Sequence, residues 1–133
     1  MEQQIYTSDS LEEIKKHGHP GFPFQTYDTI YKKYPLESMA LHWHRELEFN
    51  IILNGTVLAQ IDGISYELHP GDAVFINSNI LHSTKAVQPG SNTRHMALIL
   101  APEFLAPKGS DIYCEEIQPL LVNPSFGSFC FSP

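Results

Sequence analysis

The chain has 133 residues and carries 15 acidic side chains against 8 Lys and Arg, a formal charge of −7. That length suits one domain able to bury a core without staples, and 42% apolar with 11% aromatic residues excludes intrinsic disorder. The acidic balance excludes a phosphate-gripping surface, which needs clustered Lys and Arg.

Met1 to Ser10 has no basic segment followed by an apolar one, so no secretory signal is legible. The longest apolar run, Met96 to Ala101, is far shorter than the roughly 18 residues of a membrane span. Cys114 and Cys130 lack a CxxC partner and read as two buried free thiols. The expectation is a cytoplasmic protein with no membrane partner.

Residues 1–35 read as an N-terminal extension packing on the strand-rich remainder of the chain. Ser8, Asp9 and Ser10 offer caps, Leu11 and Ile14 one apolar face, Lys15 and Lys16 a basic last turn and Gly18 a stop. That pattern predicts a short helix. Pro20, Gly21 and Pro23 then break regular structure, and Phe24 to Ile30 is predicted as a strand. Phe22, Phe24, Tyr27, Tyr31 and Tyr34 read as packing aromatics, with Phe24 and Tyr27 also candidates for the wall of a binding pocket.

From Met39 to Leu100 strand follows strand. Glu46 to Asn54 ends in Asn54-Gly55, the strongest short hairpin signal. Thr56 to Ile61 leads through Asp62-Gly63 into Ile64 to Leu68, and Pro70-Gly71-Asp72 turns into Ala73 to Ile76. Leu81 to Val87 and Arg94 to Leu100 complete the series. Short strands with a turn about every 8 to 12 residues indicate an all-β sandwich or barrel.

Beyond Ala101 the pattern loosens. Pro102 to Leu105 predicts one helical turn, and Ile112 to Ile117 and Phe126 to Phe131 are predicted as strands. The chain stops straight after an apolar stretch, at Ser132-Pro133, the pattern of a cut chain.

Residues able to carry chemistry cluster early in the strand region. If Leu41 to Asn54 is one extended segment, His42, His44, Glu48 and Asn50 share a face, because side chains alternate. Two imidazoles and a carboxylate so placed can converge on one cation, with His82 from a later strand as the fourth ligand. Such a set suits Zn, Fe, Mn, Ni or Cu without choosing among them. The alternative is a polar interior in which the histidines hydrogen-bond Glu48 and line a pocket. Asn50 and Gln60 are polar positions within apolar strands and need partners if buried; both are candidates for the pocket wall. Asn77 and Asn79 read as turn residues.

The spacing is His42-x-His44-x3-Glu48-x6-Gly55, followed by Gly71-Asp72 and then His82. It resembles the two-part cupin signature between about Met39 and Ala86. The glycine expected before the histidines is Leu36; the second part has Asn77 and Asn79 for its proline and glycine, and Ala86 for its asparagine. The string LHWHRELEFNIILNGTVLAQIDGISYELHPGDAVFINSNILHS is similar to the N-terminal sensing domain of AraC/XylS-type transcriptional regulators. The segment APEFLAPKGSDIYCEEIQPLL is similar to the stretch that comes after the barrel in that family.

This resemblance implies an all-β, cupin-type double-stranded β-helix, a jelly-roll barrel over residues 36–133 with the short N-terminal extension. It implies a small-molecule effector, a sugar or related metabolite, bound in the barrel, and a homodimer. DNA would be contacted only through a C-terminal helix-turn-helix domain absent from these residues. No catalytic residue and no required cofactor are expected, with a divalent transition metal (Zn, Ni, Mn or Fe) an option at His42, His44, Glu48 and His82. The alternative is a metal-dependent cupin enzyme, a dioxygenase, isomerase or lyase, acting on a small polar substrate. The altered second motif counts against it.

Overall fold

The computed structural model describes residues 3–133, so the first two residues of the expected extension lie outside it. Nine strands form two antiparallel sheets. They are β1 (Phe24–Ile30), β2 (Ser38–His42), β3 (Leu47–Asn54), β4 (Val57–Ile61), β5 (Ile64–Leu68), β6 (Ala73–Ile76), β7 (His82–Ala86), β8 (Arg94–Leu100) and β9 (Ser128–Phe131). One sheet runs β1-β8-β3-β6-β9 and the other β2-β7-β4-β5. Asn54-Gly55 does not close the hairpin it signals, because β3 and β4 lie in different sheets and the turn crosses between them; Asp62-Gly63 does close one, between β4 and β5. Asp62 and Gly63 both have positive φ (50° and 78°), the backbone of the two-residue hairpin turn that Asp-Gly favours.

Alternation sorts the side chains. Ile52, Val57, Ala59, Ile61, Val74, Ile76 and Ala86 point between the sheets and close the inner core with Tyr31 and Leu68. Each Val, Ile or Leu side chain among them, fully buried, contributes about 1.5–3 kcal/mol. A second cluster, Leu47, Phe75 and Leu100 with Phe24, Phe49, Leu121 and Phe126, lies on the outer face of the five-stranded sheet. The C-terminal segment covers it. Asn77 holds that cover in place, donating from Nδ2 to the carbonyls of Leu120 (2.8 Å) and Phe126 (2.7 Å). Asn79 has the left-handed backbone (φ 63°) expected of a turn asparagine, whereas Asn77 is an anchor.

Four further sequence expectations fail locally. Residues 8–18 form no helix: Leu11 has φ 70°, and Ser8 and Ile14 donate back across a loop to Glu12 and Tyr6. The Ser-Asp-Ser run favours turns over helix, and pairing of Leu11 and Glu13 with the Trp43 backbone takes up the bonds a helix would have used. Residues 112–117 are helical instead of extended, a π-helical turn Tyr113–Ile117 running into α1 (Gln118–Leu121). Ser110 starts it, accepting from Tyr113 N through Oγ and from Cys114 N through its carbonyl, and Tyr113 is the buried face. Cys114 is exposed and Cys130 half-buried, so the thiols do not form the expected buried pair. Finally, Leu41 to Asn54 is not one strand. β2 ends at His42, the chain bends at Arg45 and Glu46, and β3 starts in the other sheet.

Candidate functional site

That bend builds the site. His42 closes β2 opposite His82, the first residue of β7, in the four-stranded sheet. Glu48 faces them from β3 in the five-stranded sheet, and His44 sits on the crossing between. The structure brings the four together, each 4% exposed or less, with one ligand atom apiece inside a 4.8 Å group. Convergence comes from two sheets meeting, not from alternation along one strand.

Backbone carbonyls fix the imidazoles. Nδ1 donates to Ala40 O in His42 (2.6 Å), to Glu46 O in His44 (3.0 Å) and to Ile80 O in His82 (2.8 Å). Each ring therefore turns Nε2 towards Glu48. His44 Nε2 donates to Glu48 Oε2 at 2.8 Å. His82 Nε2 lies 3.2 Å from the same oxygen without hydrogen-bond geometry and has no other partner.

The charges follow from these contacts. Burial opposes ionisation of Glu48, but the His44 hydrogen bond and the adjacent imidazoles of His82 and His44 outweigh it and hold the carboxyl well below its usual range. Burial also disfavours a charged His44, yet the bond to Glu48 and the fields of Glu48, Glu13 and Glu46 raise it to about 9. His42, desolvated and beside His82, falls to about 4. In the metal-free protein a buried Glu48 carboxylate thus faces a His44 imidazolium and a neutral His42 ring. Three preset Nε2 atoms, one of them orphaned, and a carboxylate oxygen fit a divalent transition metal, whose binding would displace the His44 proton.

A cavity of about 360 Å³ opens on this cluster. His42, Glu48, Tyr27, Thr29, Ala97 and Ile99 form its barrel wall. The opposite wall is the N-terminal segment, through Gln3 to Tyr6 and through Glu13, Lys15 and His17. The other candidates lie elsewhere. Gln60 is exposed at an outward position of β4, and Phe24 faces the outer cluster, stacking on Phe104. Asn50 shares the inner face with Glu48 but is buried below the cavity, its Oδ1 without a partner.

Glu13 and His17 escaped the sequence reading. His17 Nε2 donates to Glu13 Oε2 (2.8 Å), and Nδ1 shares a hydrogen bond with the Tyr27 hydroxyl (2.6 Å). Their i,i+4 spacing was legible, but nothing in sequence places residue 17 against His44.

A family model for the AraC-like ligand binding domain matches residues 26–110. The chain belongs to that family. Over 114 residues this AraC-like domain is 32% identical to the HTH-type transcriptional regulator YdeC of Bacillus subtilis (strain 168). The match covers 86% of this chain and 38% of that protein, so the domain spans well under half of the relative's length. Among solved structures it resembles a cupin-like protein from Thermotoga maritima (26% identity, TM-score 0.52, 59% of this chain and 58% of that one). A cupin 2 domain-containing protein from Halorhodospira halophila is similar in fold (17% identity, TM-score 0.51, 63% and 56% coverage). The AraC-like domain is thus a cupin-type jelly roll. Among its described residues no helix is long and apolar enough to cross a membrane.

Proposed function

We propose that this domain is the cytoplasmic effector-binding half of a transcriptional regulator that contacts DNA through a separate helix-turn-helix domain. The observation that carries this reading is the cavity of about 360 Å³ between barrel and N-terminal segment. A ligand there touches both, so it can favour one arrangement of the segment over another, which is the differential affinity a switch requires. The lining mixes Tyr27, Tyr34 and Met39 with the polar Glu13, Lys15, His17, Thr29 and Glu48. This suits a small molecule with apolar faces and several hydroxyls, a sugar or related metabolite. A divalent metal held by His42, His44, Glu48 and His82 would supply a Lewis-acidic contact for a ligand oxygen. The chain acts as a homodimer and performs no catalysis in this reading.

Thermal unfolding in the presence of a panel of monosaccharides and sugar acids tests it. A ligand at 100 times its Kd stabilises the folded state by about 2.7 kcal/mol, and Tyr27→Ala should abolish the shift. A shift that survives Tyr27→Ala, or no shift with any polar metabolite, overturns the reading. The complete donor set at Glu48 favours one rival, a metal-dependent cupin enzyme; turnover of a ligand by the metal-loaded chain would select it.

A further inference from the structure

Two histidine–carboxylate pairs lie side by side in this domain, and only one belongs to the barrel. Glu13 and His17 come from the N-terminal segment, both under 9% exposed, and their ligand atoms fall with that of His44 inside a second 4.8 Å group. The His17 and His44 ring centroids are 5.5 Å apart. An ion bound at about 2.1 Å spaces its donors about 3–4 Å apart, so small side-chain rotations would suffice to close the group.

We propose that Glu13, His17 and His44 form a second divalent-cation site, so that the pocket accommodates two ions. His44 is shared in position but not in bonding. Its Nδ1 is committed to the Glu46 carbonyl, which leaves Nε2 for one ion at a time. With two ions present the six residues divide evenly: His42, His82 and Glu48 hold one, and His17, His44 and Glu13 hold the other. Each set is two imidazoles and one carboxylate, a donor combination suited to Zn²⁺, Fe²⁺ or Mn²⁺ with positions left for ligand or water.

The surroundings of His17 match this role. Nε2 now donates to Glu13 Oε2; once an ion displaces that proton, an Nδ1 that donates to the Tyr27 hydroxyl at 2.6 Å leaves Nε2 to ligate, with Tyr27 orienting the ring as the outer partners of ligating histidines do. Glu13 is a buried carboxylate whose only side-chain hydrogen bond among the described residues is to that same Nε2. Replacing the proton between them by a dication keeps both groups satisfied. Binding there would tie residues 13–17 to the barrel, adding to the backbone bonds to Trp43, the Trp43 indole bond to Ser10, the His17–Tyr27 hydrogen bond and Lys15 over the Tyr27 ring.

Zinc titration of the metal-free 133-residue chain, by calorimetry with elemental analysis after gel filtration, tests the division. Wild type should retain two Zn²⁺ per chain. His17→Gln and Glu13→Gln should each retain one, and His82→Gln should also retain one, with far-ultraviolet circular dichroism checking that each variant is folded. The wild-type count stands even if a variant fails to fold. One ion or none in wild type overturns the proposal. So does a second ion that persists in either His17→Gln or Glu13→Gln. The readout is metal stoichiometry, so its failure leaves the effector response of the same chain to be judged separately.

Discussion

The Tyr31 hydroxyl accepts from His95 Nδ1 at 2.9 Å and donates to Thr84 Oγ1 at 2.9 Å. With Thr84 on β7 and His95 on β8, this one phenol joins the two sheets at the core. Tyr31 is 0% and His95 1% exposed, so the imidazole is held neutral. Burial pushes it down to about 4.

The sign of the pH dependence is set by that burial. The unfolded chain takes up this proton near pH 6.5 and the folded chain only near 4. Stability from neutral burial is therefore complete above 6.5 and is lost as pH falls from 6.5 towards 4, at up to about 1.4 kcal/mol per pH unit. Urea unfolding between about pH 7 and about pH 4.5 should show that loss, and His95→Gln should make it shallower. It will not vanish, because His42 is likewise pushed down to about 4. An unchanged slope in His95→Gln would contradict the assignment.

Glu48 controls the charge on His44. In metal-free protein His44 titrates near 9 because its bond to Glu48 and the nearby carboxylates outweigh burial. Glu48→Gln removes the bonded carboxylate, so burial dominates and the His44 midpoint should fall by several units, read by proton-detected histidine NMR. Breaking one side of a buried pair costs about 3–5 kcal/mol, so the urea midpoint should fall as well. A His44 midpoint still near 9 would mean that Glu13 and Glu46 supply the field without Glu48.

Asn77 predicts a separable unit. Its two Nδ2 bonds, 2.8 Å to Leu120 O and 2.7 Å to Phe126 O, hold the cover over Phe49 and Phe75. Asn77→Asp removes both donors and should cost about 1–3 kcal/mol. Hydrogen exchange should accelerate in residues 118–131 while β4 and β7 stay protected. Uniform acceleration would instead show that the cover and barrel unfold together.

The strands were readable because their turns carry specific backbone demands: Phe24–Ile30, Ile64–Leu68, Ala73–Ile76 and Arg94–Leu100 sit where Asp-Gly, Pro-Gly and flanking breakers put them. The cluster of His42, His44, Glu48 and His82 was readable from spacing, though through the wrong geometry. His42 and Glu48 meet because the chain changes sheets between them, and alternation cannot register a crossing. Gln60 and Phe24 lie outside the cavity lining for a related reason, since neither a polar nor an aromatic residue in a strand reveals which face is inside. The Glu13–His17 contribution depends on residues 8–18 pairing with Trp43, a long-range contact that outcompeted the local helix signal.

Gly55 and Gly63 make a controlled comparison at two turns, the first crossing from β3 to β4 in the other sheet and the second closing the β4–β5 hairpin. Both have positive φ, 76° and 78°, so alanine at either meets the same left-handed penalty of about 1–2 kcal/mol. Their surroundings differ. A Cβ on Gly63 meets nothing within 4 Å, whereas one on Gly55 falls 2.4 Å from Thr93 Oγ1 and 2.9 Å from Thr93 Cα. Thr93 is 0% exposed, and its neighbours Arg94 and His95 pair with Asn54 and Ile52, so it cannot withdraw without disturbing the β3–β8 ladder. Gly63→Ala should therefore cost only the backbone term, while Gly55→Ala should cost that plus an overpacking term of about 1–3 kcal/mol. Chemical denaturation of the two variants measures the difference directly. If Thr93→Ser, which keeps Oγ1 but removes a methyl, leaves the Gly55→Ala penalty unchanged and Thr93→Ala relieves it, the clash lies at the hydroxyl. Equal penalties at the two glycines would show that the Thr93 segment yields and that the turn backbone alone sets the cost.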